Sequence, residues 1–574
     1  MKTNITLKGM ALATGLTLAL SAAGVANANL AMPYGTGTTT YSVMNAGSAP
    51  ATVVATYYNP DGTTQLASTH NLPVNGRLDV TVGQSPDGPL PGNWSGSVVL
   101  SSDQDIVAVA RTKYTGRLNA YENNPGQTPE TESSAYEAFN SGSTSLYFPV
   151  IVRIKRAAQP TVAQLTTRFT VQNTSASPAT VYLNFRNFNG TTYPPQIITL
   201  NGYGSRTWDT AVTSDLTPTI PIGDLAPNVV QFSLFVTGTQ PLVGVAEQSW
   251  NFDGFIGATP VRQNWAADYV AIPASEATTT LYGPLVSRIG APSGSSRPCT
   301  LGVYTTFFFY TQFAVQNTTA TTATVTAQFI RSNNTGSGVN APSGLANGSV
   351  SVQVPPFGTW NVGTFAGGNL GINQTASSFW NIFADGYNAG TGGATHCNWN
   401  GAVVFTSDQP IVGFGFVQQP LSIQNYASGF NFLRTAGATS TALLPRADRV
   451  CTPNAFNVCP DNEIERFTDF SGLVVQNVGN ANTNLTVIFY NPNGTVNQTF
   501  TVDGSSNPIT LAPGQQYTFN TRAGANASIA QTQALGNNFK GTVRVTASGG
   551  VPIRIFNLLI SGMDDADAYI GFNR

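Results

Sequence analysis

The chain has 574 residues, of which only 9% are charged, and its formal net charge is −2. A typical soluble protein carries about 25% Asp, Glu, Lys and Arg. The low charge argues against long charged helices, and against nucleic acid or an anionic membrane as a partner, because both require a dense basic surface. The hydrophobic share of 41%, with 57 Gly and 35 Pro, is typical of short strands joined by turns around an apolar core.

Residues 1–28 are predicted to be a secretory signal peptide. Lys2 and Lys8 precede an apolar run over 10–23, and Ala26-Asn27-Ala28 has the small-x-small pattern of a cleavage site. The apolar run is too short to span a bilayer. We therefore expect a mature chain that starts at Asn29, does not insert into the membrane, and is extracellular or attached to the cell surface.

A recurring signature predicts four repeats. A strand-like run ends in Asn, and a loop and a second β-rich run follow it. The anchoring asparagines are 128, 144 and 160 residues apart: Asn45, Asn173, Asn317 and Asn477. Asn59-Pro60-Asp61-Gly62 and Asn491-Pro492-Asn493-Gly494 then supply tight turns, for which Asp-Gly and Asn-Gly give the required positive φ angles. No segment of the mature chain has a convincing helical period, so the spacing predicts β-sandwich units.

The fold class predicted is all-β, a tandem array of four Ig-like β-sandwich domains. The expected domains after the signal peptide at 1–28 are 29–140, 141–276, 277–436 with long loops, and 437–574. The Val-Gln-Asn strands, the Asn-Pro-Asp-Gly turn and the Ser-Asp-Gln-Pro-Ile-Val hairpin at 407–412 resemble the tandem immunoglobulin-like repeats of bacterial cell-surface proteins, of the cell-adhesion-related type. This resemblance implies adhesion, a surface coat or an extracellular fibre. The chain departs from antibody domains in lacking their Cys…Trp…Cys core.

Export predicts that the four cysteines form disulfides. Four cysteines allow three pairings. The spacing of eight residues favours a local bridge between Cys451 and Cys459, which leaves Cys299 with Cys397. The spacing matches no standard zinc pattern, so neither a metal nor another cofactor is predicted.

The search for catalytic residues finds none. His70 and His396 lie in different repeats, and no nucleophile elbow, metalloprotease helix or phosphate-binding loop is present. The acidic clusters at Asp103 and Asp105, and at 564–567, are interpreted as solvated turns. Eleven sequons are candidates for glycosylation, although the Asn, Ser and Thr content alone produces about that number. They are Asn93, Asn173, Asn189, Asn317, Asn333, Asn347, Asn373, Asn484, Asn493, Asn497 and Asn526.

The two ends of the mature chain are in phase with the repeats. The segment 568–574 resembles the first half of an inter-repeat junction, and 29–33 resembles the second half. The simpler interpretation is that an array starts and stops at domain boundaries. The sharper hypothesis is a secreted, non-enzymatic structural protein that joins copies of itself head to tail into a filament or surface layer. Covalent glycans are the other partner class that this hypothesis allows. The segments expected to join copies contain Asn29, Leu30, Met32, Pro33, Tyr569 and Phe572.

An adhesin or glycan-binding surface protein is the alternative function. The sequence places Trp94, Trp360 and Trp399 in loops, where aromatic rings can stack on sugars. Burial of each tryptophan in a core is the competing interpretation.

Overall fold

The fold is described from a computed structural model. It describes residues 17–20 and 36–574, apart from several internal segments. Those segments are 93, 118–129, 156–162, 217–218, 222–228, 257–258, 291–306, 332–347, 365–378, 380–381, 384–397, 420–425, 456, 458, 461–465, 505, 523–531 and 562–564. Within the described part, no helix is long and apolar enough to cross a membrane.

The expectation of an all-β chain is confirmed, and the strands fall into four consecutive groups, called repeats 1 to 4. A first strand, β1 (Thr17–Leu20), precedes them. Repeat 1 contains β2 (Thr36–Asn45), β3 (Ala51–Tyr58), β4 (Thr64–Leu72), β5 (Arg77–Thr81), β6 (Ser97–Ser102), β7 (Ile106–Arg117) and β8 (Glu130–Glu137). Repeat 2 contains β9 (Ser143–Lys155), β10 (Ala163–Asn173), β11 (Ala179–Asn187), β12 (Gln196–Leu200), β13 (Ser205–Asp209), β14 (Val229–Ile256), β15 (Thr259–Val270) and β16 (Ile272–Pro273).

Repeats 3 and 4 follow the same order. Repeat 3 contains β17 (Thr278–Gly290), β18 (Phe307–Asn317), β19 (Ala323–Arg331), β20 (Gly348–Val354), β21 (Thr359–Gly363), β22 (Asn398–Gln419) and β23 (Tyr426–Asn431). Repeat 4 contains β24 (Thr441–Cys451), β25 (Phe467–Asn477), β26 (Thr483–Tyr490), β27 (Val496–Phe500), β28 (Thr510–Leu511), β29 (Gln516–Asn520), β30 (Asn538–Ala547), β31 (Ile553–Ser561), β32 (Asp565–Ile570) and β33 (Phe572–Asn573). The helical segments whose bounds lie within the described residues are short, and they include Thr213–Leu216, Ala274–Glu276, Thr532–Leu535 and Ser548–Gly550.

Repeat 1 stacks an outer and an inner antiparallel sheet on a shared core, whereas the strands of repeats 2, 3 and 4 are joined into one sheet of 8, 7 and 10 strands. In repeat 1 the outer layer is β1-β6-β3-β4 and the inner layer is β5-β2-β7-β8. Period-2 alternation explains the stacking, because successive side chains of a strand point to opposite faces. Along β3 every second residue is buried, and Val53 and Ala55 meet Val43 of β2 in one core cluster.

The side chains of the anchoring asparagines are buried, and they hydrogen-bond to backbone groups at the ends of neighbouring strands. Asn45 donates from its side-chain amide to the carbonyl oxygens of Ala49 (2.8 Å) and Leu72 (3.1 Å), and its side-chain oxygen accepts from the Gly47 N–H (2.8 Å). Asn173, Asn317 and Asn477 make the same three kinds of contact, and all four asparagines are 0% exposed. The motif recurs because each repeat has to satisfy the same buried backbone groups.

The four repeats close into a ring within one chain. The inner-edge strands β8, β15, β23 and β32 each pack against the next, and β32 packs back against β8. The apolar cores follow the same cycle. The core of repeat 1 extends to Val245 and that of repeat 2 to Phe414. The core of repeat 3 extends to Phe556, and that of repeat 4 extends to Val109 in repeat 1.

Small residues occur on all four inner-edge strands, at Ala135, Ala267, Gly429 and Ala568. At Gly429 the neighbouring strand comes very close. A Cβ atom at Gly429 would lie 2.5 Å from the carbonyl oxygen of Asp268 in the neighbouring repeat. Larger residues would therefore force the strands apart.

Candidate binding site at the junction of repeats 4 and 1

The junction of repeats 4 and 1 begins with the Asn-Pro-Asn-Gly turn of repeat 4. The backbone N–H of Arg77 donates to the Pro492 carbonyl oxygen (2.9 Å), and the Thr542 hydroxyl donates to the Asn75 carbonyl oxygen (2.9 Å). Gly494, at φ 82°, is packed so closely that a Cβ would lie 2.1 Å from the Val74 carbonyl oxygen. The turn motif seen in the sequence is thus a contact between repeats.

The inner sheet of repeat 1 supplies most of the site. Strands β2, β5 and β7 are neighbours in register, so alternate residues of each strand project from one face toward repeat 4. Together with two residues of repeat 4 they enclose a cleft of about 460 Å³. Its lining residues are Thr38, Thr40, Arg77, Asp79, Thr81, Arg111, Lys113, Arg446 and Lys540.

Ion pairs hold the floor of this cleft. The Arg77 Nη1 atom donates to Asp448 Oδ1 (2.7 Å) and to the Gly541 carbonyl oxygen (3.1 Å), while Arg77 Nε donates to Asp79 (2.7 Å). Arg446 Nε also donates to Asp448 (2.8 Å). Burial alone would raise the pKa of the Asp448 carboxyl, but the Arg446 and Arg77 guanidinium groups outweigh burial and hold that pKa below its usual value.

Arg111 forms the inner end of the cleft. Its guanidinium pairs with Asp567 of β32 and with Asp469 (3.2 Å), and it donates to the Ser561 hydroxyl (2.7 Å). These partners belong to repeat 4, so Arg111 ties the two ends of the ring together. Asp567, interpreted from the sequence as a solvated turn residue, is instead buried in a strand of the junction, and that interpretation is wrong.

Two lysines bring positive charge that no carboxylate neutralises within the described part of the chain. Lys113 is half-buried on β7 and Lys540 is exposed on β30. They are two of only three lysines after residue 28. Threonine hydroxyls at Thr38, Thr40 and Thr81 lie in the same cleft. Ammonium groups beside hydroxyl groups suit a ligand that carries both an anionic group and hydroxyl or carbonyl oxygens.

The corresponding place between repeats 1 and 2 is closed. It is lined by Thr112, Tyr136, Arg168, Thr170, Thr207, Val245, Glu247 and Asp268, and its volume is about 10 Å³. There the Tyr114 hydroxyl donates to Glu247, whose side chain is buried. The open cleft at the junction of repeats 4 and 1 therefore comes from its own side chains and is not a general feature of the ring.

A second polar cluster, in repeat 1, does not have the geometry of a hydrolase. His70 Nε2 lies 2.5 Å from Asp87 Oδ1 and 3.2 Å from the Ser68 hydroxyl. In a catalytic triad the carboxylate and the serine contact opposite nitrogens of the imidazole ring, whereas here both contact the same nitrogen. Tyr41 donates to the same carboxylate (2.6 Å), and so does Tyr57. The cluster anchors the loop that carries Asp87 to the sheet.

The predicted disulfide between Cys451 and Cys459 is present, with a Cα–Cα distance of 6.4 Å. Cys299 and Cys397 lie outside the described residues. Within the described part no group of His, Cys, Asp and Glu is arranged to hold a metal ion.

Two of the three tryptophans proposed for sugar stacking are buried and cannot contact a ligand. Trp360 and Trp399 are 0% and 1% exposed, in the core of repeat 3, where they stand edge-on to phenylalanine rings. Trp94 packs against Tyr57 (5.7 Å between centroids) and donates to the Asn59 side chain. The placement of Trp360 and Trp399 in loops is wrong, because both lie in strands and fill the core. Trp94 does lie outside the strands, and it is half-buried.

The asparagines of the predicted glycosylation sites differ in how deeply their side chains are buried. The side-chain amides of Asn173 and Asn317 are fully committed to backbone carbonyl groups, so they cannot carry a glycan in the folded chain. Asn189, Asn484 and Asn493 are exposed and Asn497 is half-buried. Asn93, Asn333, Asn347, Asn373 and Asn526 lie outside the described residues.

The C-terminal segment expected to join copies is occupied within its own chain. Tyr569 is 0% exposed, and Phe572 packs in one apolar cluster with Met44, Ala46 and Val107 of repeat 1. Of the N-terminal partners, Asn29, Leu30, Met32 and Pro33 lie outside the described residues. The sequence patterns did not predict the cationic cleft. Arg77 and Asp79, and likewise Arg111 and Lys113, are two residues apart in strand-like runs, and this spacing indicates charged side chains on one face of a sheet.

Comparison with known proteins adds little to this description. No family model matches the chain, and no curated protein matches it significantly. The chain is similar to a solved structure titled Thermotoga maritima 1070 over 23% of this chain and 95% of that one, at 13% identity and a TM-score of 0.16. It is similar to the Anabaena sensory rhodopsin transducer over 18% of this chain and 87% of that one, at 14% identity and a TM-score of 0.15.

Proposed function

We propose that the mature chain is an extracellular, non-enzymatic protein that binds an acidic glycan in the cleft between repeats 4 and 1. The observation that carries the proposal is the open cleft of about 460 Å³ in which Lys113 and Lys540 have no carboxylate partner within the described part. The chain is otherwise poor in charge, so cations concentrated in one cleft favour an anionic ligand. Carboxylate or sulfate groups would meet the lysines, and sugar hydroxyls would meet the threonines.

Binding should be measured by calorimetry with oligogalacturonate, with sulfated dextran, and with neutral dextran. We expect both acidic polymers to bind, with an affinity that falls as salt is added, and neutral dextran not to bind. The double variant Lys113→Gln/Lys540→Gln should lose at least tenfold in affinity. Arg206→Gln, an exposed cation on β13 of repeat 2, is the matched control. If the double variant binds like the unchanged protein, the cleft is not the site.

A second candidate is a structural subunit of an extracellular assembly. It is favoured by the outer sheet of repeat 1, because the edge strand of that sheet, β1, belongs to the predicted signal peptide. Because Tyr569 and Phe572 are buried within their own chain, an assembly through the predicted joining segments would have to use the N-terminal one. Electron microscopy of secreted material would show ordered polymers if this candidate is right, and dispersed particles if it is not.

A further inference from the structure

The first position of the outer sheet is the edge strand that pairs with β6 in repeat 1 and with the counterpart of β6 in the other repeats. This edge strand has a different origin in repeat 1. In repeat 4, Leu444 of β24 lies opposite Val543, and Ala442 lies opposite Val545. Strands β9 and β17 occupy the same edge in repeats 2 and 3. In repeat 1 the edge is occupied by β1, with Leu20 opposite Val98 and Leu18 opposite Leu100.

Signal-peptide cleavage would empty this position. Strand β1 belongs to residues 1–28, which the sequence predicts are removed on export. Its partner β6 carries Val98 and Leu100, both 0% exposed in the core of repeat 1. Loss of β1 would leave the backbone groups of β6 unpaired at a sheet edge, which readily accepts another strand.

The mature chain contains a segment with the sequence of a first strand. Leu30-Ala31-Met32-Pro33 has the same Leu and Pro as Leu146-Tyr147-Phe148-Pro149 of β9 and Leu281-Tyr282-Gly283-Pro284 of β17. In the other repeats the strand continues for six residues past this Pro, and the second strand begins only at Ala163, Phe307 and Phe467. In repeat 1 only two residues separate Pro33 from β2, which begins at Thr36.

This connection is too short for the segment to return to its own sheet. In repeat 4, Asp469 is the counterpart of Gly37 and lies opposite Val450, five residues past Pro445, or about 16 Å along the strand. The four peptide steps from Pro33 to Gly37 span about 14 Å at most, and they must also cross to the neighbouring strand and reverse direction. Gly37 is fixed by pairing with Tyr114 of β7.

We propose that, after export, the segment Leu30–Pro33 of a second copy of the chain fills the first position beside β6, giving a strand-exchanged dimer. A hinge too short to fold back favours exchange between molecules, and the added strand gains main-chain hydrogen bonds along β6. The inference rests on the export of the chain and concerns a different surface from the glycan cleft.

The test is a disulfide trap in the processed protein purified from the medium of secreting cells. Ala31 takes the place of Ala19, which lies opposite Val99, so Ala31→Cys and Val99→Cys are combined. We expect a disulfide-linked dimer on a non-reducing gel, and light scattering should give twice the chain mass for the unchanged protein. Deletion of residues 29–34 should give monomers that still bind oligogalacturonate.

A lengthened hinge provides the matched control. Ten Gly and Ser residues inserted between Tyr34 and Gly35 should allow the segment to fold back, so that the trap becomes intramolecular and the protein monomeric. An intramolecular disulfide without the insertion would overturn the proposal, and so would the absence of any disulfide. The proposal would also be overturned if N-terminal sequencing showed that residues 1–28 are retained. That result would show that the signal peptide is not cleaved, which is a different failure from the absence of strand exchange.

Discussion

At the scale of single residues, the chain uses few polar groups, and it uses them where backbone or charge has to be satisfied. The four anchoring asparagines cap strand ends from inside the fold. Asp448 lies between two guanidinium groups, so the burial of each charge is offset by its neighbours. A buried ion pair contributes little when complete, but removing one partner is costly because it leaves a buried charge without compensation.

The substitution Asp448→Asn tests this arrangement. It leaves the buried Arg77 without its partner across the junction, so we expect the free energy of unfolding to fall by about 3–5 kcal/mol, measured by urea denaturation. Asp105→Asn removes an exposed partner of Arg574 at the same junction and should cost about 1 kcal/mol or less. Because the folded pKa of Asp448 is lowered, its contribution is present above the ordinary value of 3.8 and is lost as pH falls below it. Equal losses from the two variants would refute the argument.

At the scale of elements, the tight turns join one repeat to the next. The turn at Gly62 packs on Gly202 of repeat 2, that at Gly190 on Pro356 of repeat 3, and that at Gly494 on Val74 of repeat 1. Each approaches a backbone carbonyl oxygen to a distance at which no Cβ fits. The turn sequence is therefore constrained twice, by its own positive φ and by the surface of the next repeat.

Two glycine substitutions separate these constraints. Gly549→Ala lies at φ 66° with no atom within 4 Å of the added Cβ, so it should cost only the conformational strain of about 1–2 kcal/mol. Gly494→Ala adds a clash with the Val74 carbonyl oxygen. It should therefore cost clearly more, and it should also make the junction of repeats 4 and 1 sensitive to limited proteolysis. Similar unfolding free energies and identical digestion patterns would show that the contact between repeats is unimportant.

At the scale of the whole molecule, the junctions of the ring differ in chemistry. Aromatic rings pack across three of them, with Tyr58 on Tyr203 (4.7 Å), Tyr269 on Phe414 (4.5 Å) and Phe430 on Phe556 (4.7 Å). Charged side chains meet at the two junctions that flank repeat 1, through Arg111 on one side and Glu247 on the other. Repeat 1 is thus joined to both neighbours by buried charged groups as well as by apolar contacts, and the ring should respond to pH there first.

The carboxyl group of Asp268 near the ring centre should give such a response. Burial raises its pKa well above the usual value, and the nearby Glu247 raises it further. A raised folded pKa means that stability is greatest at low pH and is lost as pH rises from 3.8 through the folded value. Asp268→Asn, which imitates the neutral acid, should therefore gain stability relative to the unchanged protein between pH 5 and 9 on thermal unfolding. The exposed Asp105→Asn is the control, and a difference independent of pH would contradict the prediction.

Composition and local pattern were enough to predict the all-β class and the bridge between Cys451 and Cys459, because strand alternation, turn residues and an eight-residue cysteine spacing are local properties of the chain. The recurrence of Asn45, Asn173, Asn317 and Asn477 also revealed the repeats. Closure of the ring, the burial of Trp360 and Trp399, the strand position of Asp567 and the cleft at Lys113 and Lys540 depend on contacts between residues hundreds of positions apart. Whether repeat 4 meets another molecule or its own repeat 1 depends on small rotations accumulated over three junctions, and these are decided only when the side chains pack.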